Sequence, residues 1–321
     1  MKDGMGRNID YLRLSVTDRC NLRCRYCMPH GIQKVSREEI LQYEEITRLV
    51  GLLAKLGIKH VRVTGGEPLV RGDVTRLVAG LKSIPGIDKV SMTTNGVLLE
   101  KYAKGLKDAG LDSVNISLDT PDPCLAKAIT GFDGVPEAVE RGIAAMRELG
   151  IPTKLNSVLL ADTAEAIPHT AKYAEQGIPV RFIELMPMGL GKNERGISPA
   201  DALEILKKRY PDLHPVDVKL GSGPAKYYES EKLSAPIGMI DAVSNRFCHS
   251  CNRVRLTSMG VLKPCLCFEE GVALRELLRG RADDAALLAA MEGAILNKPK
   301  QHCFDAPERM TESKLMSEIG G

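Results

Sequence analysis

Three thiols fall within eight residues of the sequence, Cys20-Asn-Leu-Arg-Cys24-Arg-Tyr-Cys27, spaced C-x3-C-x2-C. Soft sulfur donors this close together select zinc or an iron–sulfur cluster. A structural zinc site needs a fourth ligand, and His30 is the nearest candidate. Zinc sites are, however, usually built from two ligand pairs separated by a long gap. Three thiolates on a four-iron cluster leave one iron without a protein ligand, and that iron is open for chemistry. Arg19, Arg23 and Arg25 make this loop polar, which speaks against an incidental group of buried cysteines.

A second set follows late in the chain: Cys248-His-Ser-Cys251, then Cys265 and Cys267. By spacing alone it stays open between a zinc ribbon using all four thiols and an iron–sulfur centre held by Cys248, Cys251 and Cys265. Cys124 and Cys303 have no cysteine neighbours in sequence and read as ordinary residues. A third group is cationic. Arg13, Arg62, Lys154 and Arg181 lie on or beside predicted strands, where an unpaired cation is costly unless it faces a cavity. Arg253 and Arg255 share one face of an extended segment. Guanidinium forks and an ammonium suit phosphate oxygens, so these residues are candidates for binding a polyphosphate, although many arginines in any chain are simply solvated.

Positioning such groups requires a scaffold, and the first 185 residues describe one. Short β-branched runs predict strands over Leu12–Val16, His60–Thr64, Lys89–Thr93, Ser113–Ser117, Thr153–Val158 and Val180–Ile183. Helical periodicity falls between them, near 38–56, 73–82, 98–109, 136–149 and 164–176. In the first of these, Ile40, Tyr43, Ile46, Val50, Leu53 and Leu56 recur every three or four residues as one buried stripe. Gly57, Gly110, Gly150 and Gly177 stand where helix ends want a residue tolerant of positive φ. The repeated βα cadence predicts an α/β fold with a parallel sheet. Six strands favour a partial (β/α)6 barrel, with an open doubly wound sheet as the alternative. The rhythm changes after Gly189, so the expected organisation is a barrel over 1–189, a smaller C-terminal layer over 190–298 and a polar tail over 299–321. Pro199–Arg209 reads as a short helix.

The sequence patterns place the motifs together. Cys20–Cys27 follows the first predicted strand, Gly65-Gly66-Glu67 the second and Thr93-Thr94-Asn95 the third. Ser117 and Asp119 end the fourth, Lys154 and Asn156 lie on the fifth, and Met186 follows the sixth. Parallel α/β architectures bind ligands at that end of the strands. Other classes are disfavoured by composition. Net charge is +3 from 44 Lys+Arg and 41 Asp+Glu, and Trp is absent, which fits poorly with nucleic-acid binding. There is no apolar run of membrane-spanning length, and MKDGMGRNID lacks the apolar stretch of a signal peptide, so a cytoplasmic protein is expected. In that compartment nine cysteines favour metal ligation over disulfides.

The C-x3-C-x2-C array within SVTDRCNLRCRYCMP, together with TGGEP, TTNG and NISLD, resembles the radical S-adenosylmethionine (SAM) family. More narrowly, the second cysteine set and the closing Gly320-Gly321 make nearly the whole chain similar to the GTP 3′,8-cyclase family of molybdenum-cofactor biosynthesis. The resemblance implies a [4Fe–4S] cluster on Cys20, Cys24 and Cys27 whose free iron takes the methionine part of SAM. It also implies a second [4Fe–4S] cluster on Cys248, Cys251 and Cys265, with an iron free to touch guanine. Cys267 departs from that three-thiol pattern. Tyr26, Gly66, Ser117 and Met186 become expected SAM contacts. Arg13, Arg62, Thr93, Lys154 and the segment Arg253-Val254-Arg255 become expected GTP contacts, to which Arg181 and Asn156 are added. Gly320 and Gly321 are implied to enter the cavity and assist catalysis.

The implied reaction is a lyase reaction. A 5′-deoxyadenosyl radical from reductive SAM cleavage takes hydrogen from C3′ of GTP, and the ribose then closes onto C8 of guanine. An external electron donor and a homodimer are implied by the same resemblance. Two rivals stay in view: a peptide-modifying radical SAM enzyme with an auxiliary cluster, and a zinc-binding structural or nucleic-acid module.

Overall fold

The computed structural model describes residues 1–31, 35–36 and 38–320. Six strands follow one another as parallel neighbours: β1 (Tyr11–Ser15), β2 (His60–Thr64), β3 (Lys89–Thr94), β4 (Ser113–Ser117), β5 (Thr153–Leu159) and β6 (Val180–Glu184). Helices α1 (Tyr43–Lys55), α2 (Val74–Lys82), α3 (Leu99–Asp108), α4 (Pro123–Thr130), α5 (Val135–Glu148) and α6 (Ile167–Glu175) connect them. Along each strand alternate residues face the helices. Leu12 and Leu14, Val61 and Val63, Val90 and Met92, and Val114 and Ile116 build the core between sheet and helices. Their neighbours Arg13, Arg62, Ser91 and Asn115 lie on the opposite, inner face.

Two local expectations shift for identifiable reasons. The first helix begins at Tyr43 instead of near 38, because Gln42 forms a capping box in which its backbone N–H donates to Glu45 Oε2 at 2.7 Å. Ile40 therefore falls outside the stripe that Ile46, Leu49, Val50 and Leu53 bury. Helix α4 was not anticipated, and its signal is Asp122-Pro123. The Asp122 side chain accepts from Leu125 N–H, while Pro123 occupies the first turn, where its missing N–H costs nothing.

The C-terminal part enters the same sheet where a separate layer was expected. After α7 (Pro199–Arg209) come β7 (His214–Val216), β8 (Lys226–Glu229) and β9 (Ile237–Ile240), of which β9 adds in parallel beside β6. Then β10 (Arg253–Leu256) adds in parallel beside β1, followed by antiparallel β11 (Val261–Lys263) and β12 (Val272–Ala273). The full order is β12-β11-β10-β1-β2-β3-β4-β5-β6-β9-β8-β7. Partial-barrel geometry leaves two exposed edges with unpaired backbone groups, and the late strands satisfy both. Helices α8 (Leu274–Arg279) and α9 (Asp284–Leu296) pack outside the β11–β12 edge.

The expected tail is folded. Residues 299–320 return across the barrel mouth and end in α10 (Met316–Ile319), with Phe304 and Ile319 buried beside Met188, Cys267 and Cys303 in a second, small apolar cluster. A run with little periodicity can be ordered in this way because its few apolar residues meet apolar side chains from the segments that follow β6 and β11, Met188 and Cys267 among them. No helix among the described residues is long and apolar enough to cross a membrane.

Candidate active site

A cavity of about 380 Å³ opens at the C-terminal ends of the barrel strands. All six expected ligands, Cys20, Cys24 and Cys27 from one side and Cys248, Cys251 and Cys265 from the other, line it. None of the nine cysteines is in a disulfide. Burial pushes the Cys27 thiol up to about 12 and the Cys24 thiol well above its ordinary value. In the absence of a cation these sulfurs favour the protonated form, so the positive charge that makes them thiolates has to come from a bound metal centre.

The first cysteine loop is held from the neighbouring strand ends. Gly66 N–H donates to Thr17 O and Glu67 N–H to Arg19 O, both at 2.8 Å. A Cβ at Gly65 would lie 2.4 Å from Thr17 O, and one at Gly66 2.4 Å from Arg19 O. The paired glycines are thus required first by the approach of two backbones, and the ligand-facing side of the turn comes in addition. Glu67 is buried and accepts from Leu69 N–H, Thr94 Oγ1 and Asn95 N–H. Burial nevertheless raises its carboxyl to about 7. Asn95 Nδ2 completes the frame, donating to Asn21 Oδ1 at 2.8 Å and lying 3.7 Å from Cys20 Sγ. Tyr26 donates its hydroxyl proton to Asp119 Oδ2 at 2.8 Å, which ties the cysteine loop to the end of β4.

The second set is assembled differently. Cys248 and Cys251 lie in the connection from β9 to β10, and Cys265 follows β11. Lys298 Nζ donates to Arg253 O at 2.9 Å and also to Pro264 O, beside Cys265. Arg7, remote in sequence, donates to Cys248 O. Cys267 does not join these ligands. It is buried outside the cavity with its sulfur 3.1 Å from that of Cys303, so Cys303, unremarkable in sequence, has a thiol neighbour in space. A four-thiolate zinc ribbon through Cys267 is not the arrangement the fold builds.

Between the two sets runs a cationic inner face. The register aligns Arg255, Arg13 and Arg62 across β10, β1 and β2. Arg13, Arg253 and Arg255 line the cavity, as do Thr93, Asn156, Tyr26, Gly66, Ser117 and Met186. Arg62, Lys154 and Arg181 sit one step deeper, each two residues before a lining residue (Thr64, Asn156 and Ile183) on the same strand face. Arg181 donates to Asn156 Oδ1 at 2.9 and 2.6 Å, and Arg62 to the Tyr11 hydroxyl. Among the described residues no carboxylate forms an ion pair with Arg62, Lys154, Arg181, Arg253 or Arg255. Burial lowers Arg13 to about 10, and burial followed by the charges of Arg181 and Arg62 lowers Lys154 to about 8. Thr93 Oγ1 and Arg253 Nε are buried without a hydrogen-bond partner. Buried donors with nothing to bond mark a place where a polar ligand or water belongs.

Val254 differs from its neighbours because strand alternation turns its side chain into the apolar core, leaving only its backbone toward the inner face. The carbonyl of Gly320 accepts from Arg13 Nε at 3.3 Å and from Arg255 Nη1. Gly321 lies outside the described residues. Arg7 and Lys298 were missed from sequence, since nothing local distinguishes them from solvated cations.

Residues 14–174 match the radical SAM superfamily and residues 178–304 match Molybdenum Cofactor Synthesis C. A GTP 3′,8-cyclase of Clostridium perfringens (strain 13 / Type A) is 40% identical over 324 residues, and one of Petrotoga mobilis is 42% identical over 328, each covering 100% of both chains. The crystal structure of Streptococcus suis SuiB bound to S-adenosylmethionine shares the fold. It superposes with a TM-score of 0.66 at 17% identity, covering 95% of this chain and 77% of that one.

A partial barrel carrying three thiolates at its mouth is the architecture of the radical SAM superfamily, whose members use a [4Fe–4S] cluster and SAM. Within that superfamily the chain belongs to the GTP 3′,8-cyclase family.

Proposed function

We propose that this chain converts GTP to (8S)-3′,8-cyclo-7,8-dihydroguanosine 5′-triphosphate in molybdenum-cofactor biosynthesis, with SAM and two [4Fe–4S] clusters as cofactors. The observation that carries this reading is that both cysteine triads line one cavity, joined by a continuous cationic strand face. When bound, the first cluster and SAM supply the radical that removes hydrogen from C3′, and closure onto C8 is completed by one more electron and a proton.

The remaining work is positional. A primary carbon radical takes almost any hydrogen within reach, so selectivity depends on holding C3′ at the right place. Cys20, Cys24 and Cys27 fix the first cluster, and Tyr26, Gly66, Ser117 and Met186 seat SAM beside it. Cys248, Cys251 and Cys265 fix the second cluster at the guanine end. Arg13, Arg253 and Arg255 meet the nucleotide in the cavity, with Thr93, Asn156 and the Val254 backbone on its flanks. Arg62, Lys154 and Arg181 receive the triphosphate further down the barrel. Gly320 and Gly321 assist the chemistry, and the Gly320 carbonyl meets Arg13 and Arg255. We assign the protein to the cytoplasm as a homodimer served by an external reductant. The organisation is a barrel over 1–189, an auxiliary-cluster region over 190–298 and a closing segment over 299–321.

The test is anaerobic incubation of the reconstituted protein with SAM, dithionite and GTP. The expected outcome is 5′-deoxyadenosine release that depends on GTP, together with a nucleotide product of unchanged mass that is distinct from GTP. Release independent of GTP overturns the assignment, and release dependent on a peptide favours the peptide-modifying alternative.

A further inference from the structure

Arg7 is nearly buried, and its guanidinium is used to capacity. Nε donates to Asp3 Oδ2 at 2.6 Å. Nη1 donates to Cys248 O and Lys300 O, each at 3.0 Å, and Nη2 to Lys298 O at 3.2 Å and Pro299 O at 2.7 Å. The Asp3 carboxylate that orients it is itself inaccessible. Lys298, gripped by Arg7 through its carbonyl, points its own ammonium at Arg253 O and Pro264 O. Two cations therefore tie together the turn carrying Cys248, the start of β10, the residue before Cys265 and the segment 298–300. Both line the cavity.

We infer that Arg7 and Lys298 are the positioning residues of the second cluster, holding its three thiols in register by tying residues 298–300 to the two cysteine-bearing connections that the β10–β11 ladder joins. The inference rests on the two-cluster reading. The geometry explains why main-chain carbonyls are the partners. A carbonyl fixes backbone position without cancelling the positive charge, so Lys298, which has only carbonyl partners, still acts on the adjacent sulfurs, whereas Arg7, paired with Asp3, acts chiefly by holding position. Positive charge and N–H dipoles beside an iron–sulfur centre favour its reduced, more negative form and raise its potential. A fork of five N–H donors cannot be replaced by an ammonium, which has three and no fixed plane.

The test compares wild type, Arg7→Met, Arg7→Lys and Lys298→Met after anaerobic reconstitution. It reads iron content, electron paramagnetic resonance of each reduced centre, and thermal unfolding. Wild type is expected to hold about eight irons per chain, as two four-iron clusters require. Arg7→Met should fall toward half of that while the first centre keeps its SAM-induced spectral change. Arg7→Lys should restore little. Lys298→Met should retain the second centre with a more negative midpoint. Full iron and an unaltered second-centre spectrum in Arg7→Met would overturn the inference. So would loss of both centres together with an early unfolding transition in both methionine variants, which would make the pair a general support for the fold. If wild type itself holds only about four irons, the two-cluster reading has failed, and not the assignment of Arg7.

Discussion

The two cysteine sets face one chamber but are built on opposite principles. Cys20, Cys24 and Cys27 lie within eight residues and are braced by backbone bonds on two sides, from Gly66 and Glu67 after β2 to Thr17 and Arg19, and from Arg23 and Arg25 to Thr130 and Ile129 at the end of α4. Cys248 and Cys251 come from one connection and Cys265 from another, and they are held by long side chains reaching from Arg7 and Lys298. The first is a local motif on a rigid frame, and the second is a convergence of remote segments. A local site is hard to disturb except at its own residues, whereas a convergent one fails from a distance.

The largest effect expected from this contrast separates the two centres. Cys20→Ser, Cys24→Ser or Cys27→Ser should bring 5′-deoxyadenosine formation to background by chromatography. Cys248→Ser should leave the first centre intact in its electron paramagnetic resonance spectrum while GTP binding or turnover to cyclised product is impaired. Next, Arg255→Met removes a buried cation from the chamber and leaves the Gly320 carbonyl with one donor fewer. The kcat/KM for GTP should drop about 10²- to 10³-fold in steady-state assays, the usual cost of losing one oriented charge.

The C-terminal segment offers a sharper test of convergence. Lys263 and Glu312 form a fully buried ion pair at 2.6 Å, and Lys263 stands directly across the β10–β11 ladder from Arg255. Glu312→Gln leaves a buried ammonium without its counter-charge and should cost about 3–5 kcal/mol. That cost should be read as faster hydrogen exchange over 303–320. The double variant Lys263→Met, Glu312→Met should recover most of the protection. Smaller still is the pH effect at Lys154, protonated below about 8 and neutral above it. The free enzyme should therefore lose GTP affinity severalfold between pH 7 and 9. Lys154→Arg should flatten that profile, since a guanidinium keeps its charge. Cys124 is exposed and does not line the cavity, so Cys124→Ser should leave iron content and turnover unchanged.

Legibility in the sequence follows the same divide. The first motif, the six βα strands and the inward faces of Arg13 and Arg62 are periodic or compact, and pattern alone reveals them. Strands β9 and β10 carry no βα rhythm, because they join edges that earlier strands left open, so a separate layer was expected where the sheet in fact continues. The contact of Cys303 with Cys267 and the reach of Arg7 to Cys248 depend on chain segments that meet only once the barrel exists. Val254 shows the limit of reading a segment as a unit: the alternation that aims Arg253 and Arg255 inward sends the residue between them to the core.

The pairing of β1 with β10 also governs when this protein becomes complete. Leu12 aligns with Val254, so β1 keeps a bare edge until about 240 further residues have been synthesised. Long-range parallel pairing of this kind is slow and leaves intermediates prone to association. The nascent barrel thus has to be shielded through most of its synthesis. Iron can be secured at the late thiols only after β10 and β11 have docked, so the second centre is assembled later than the first.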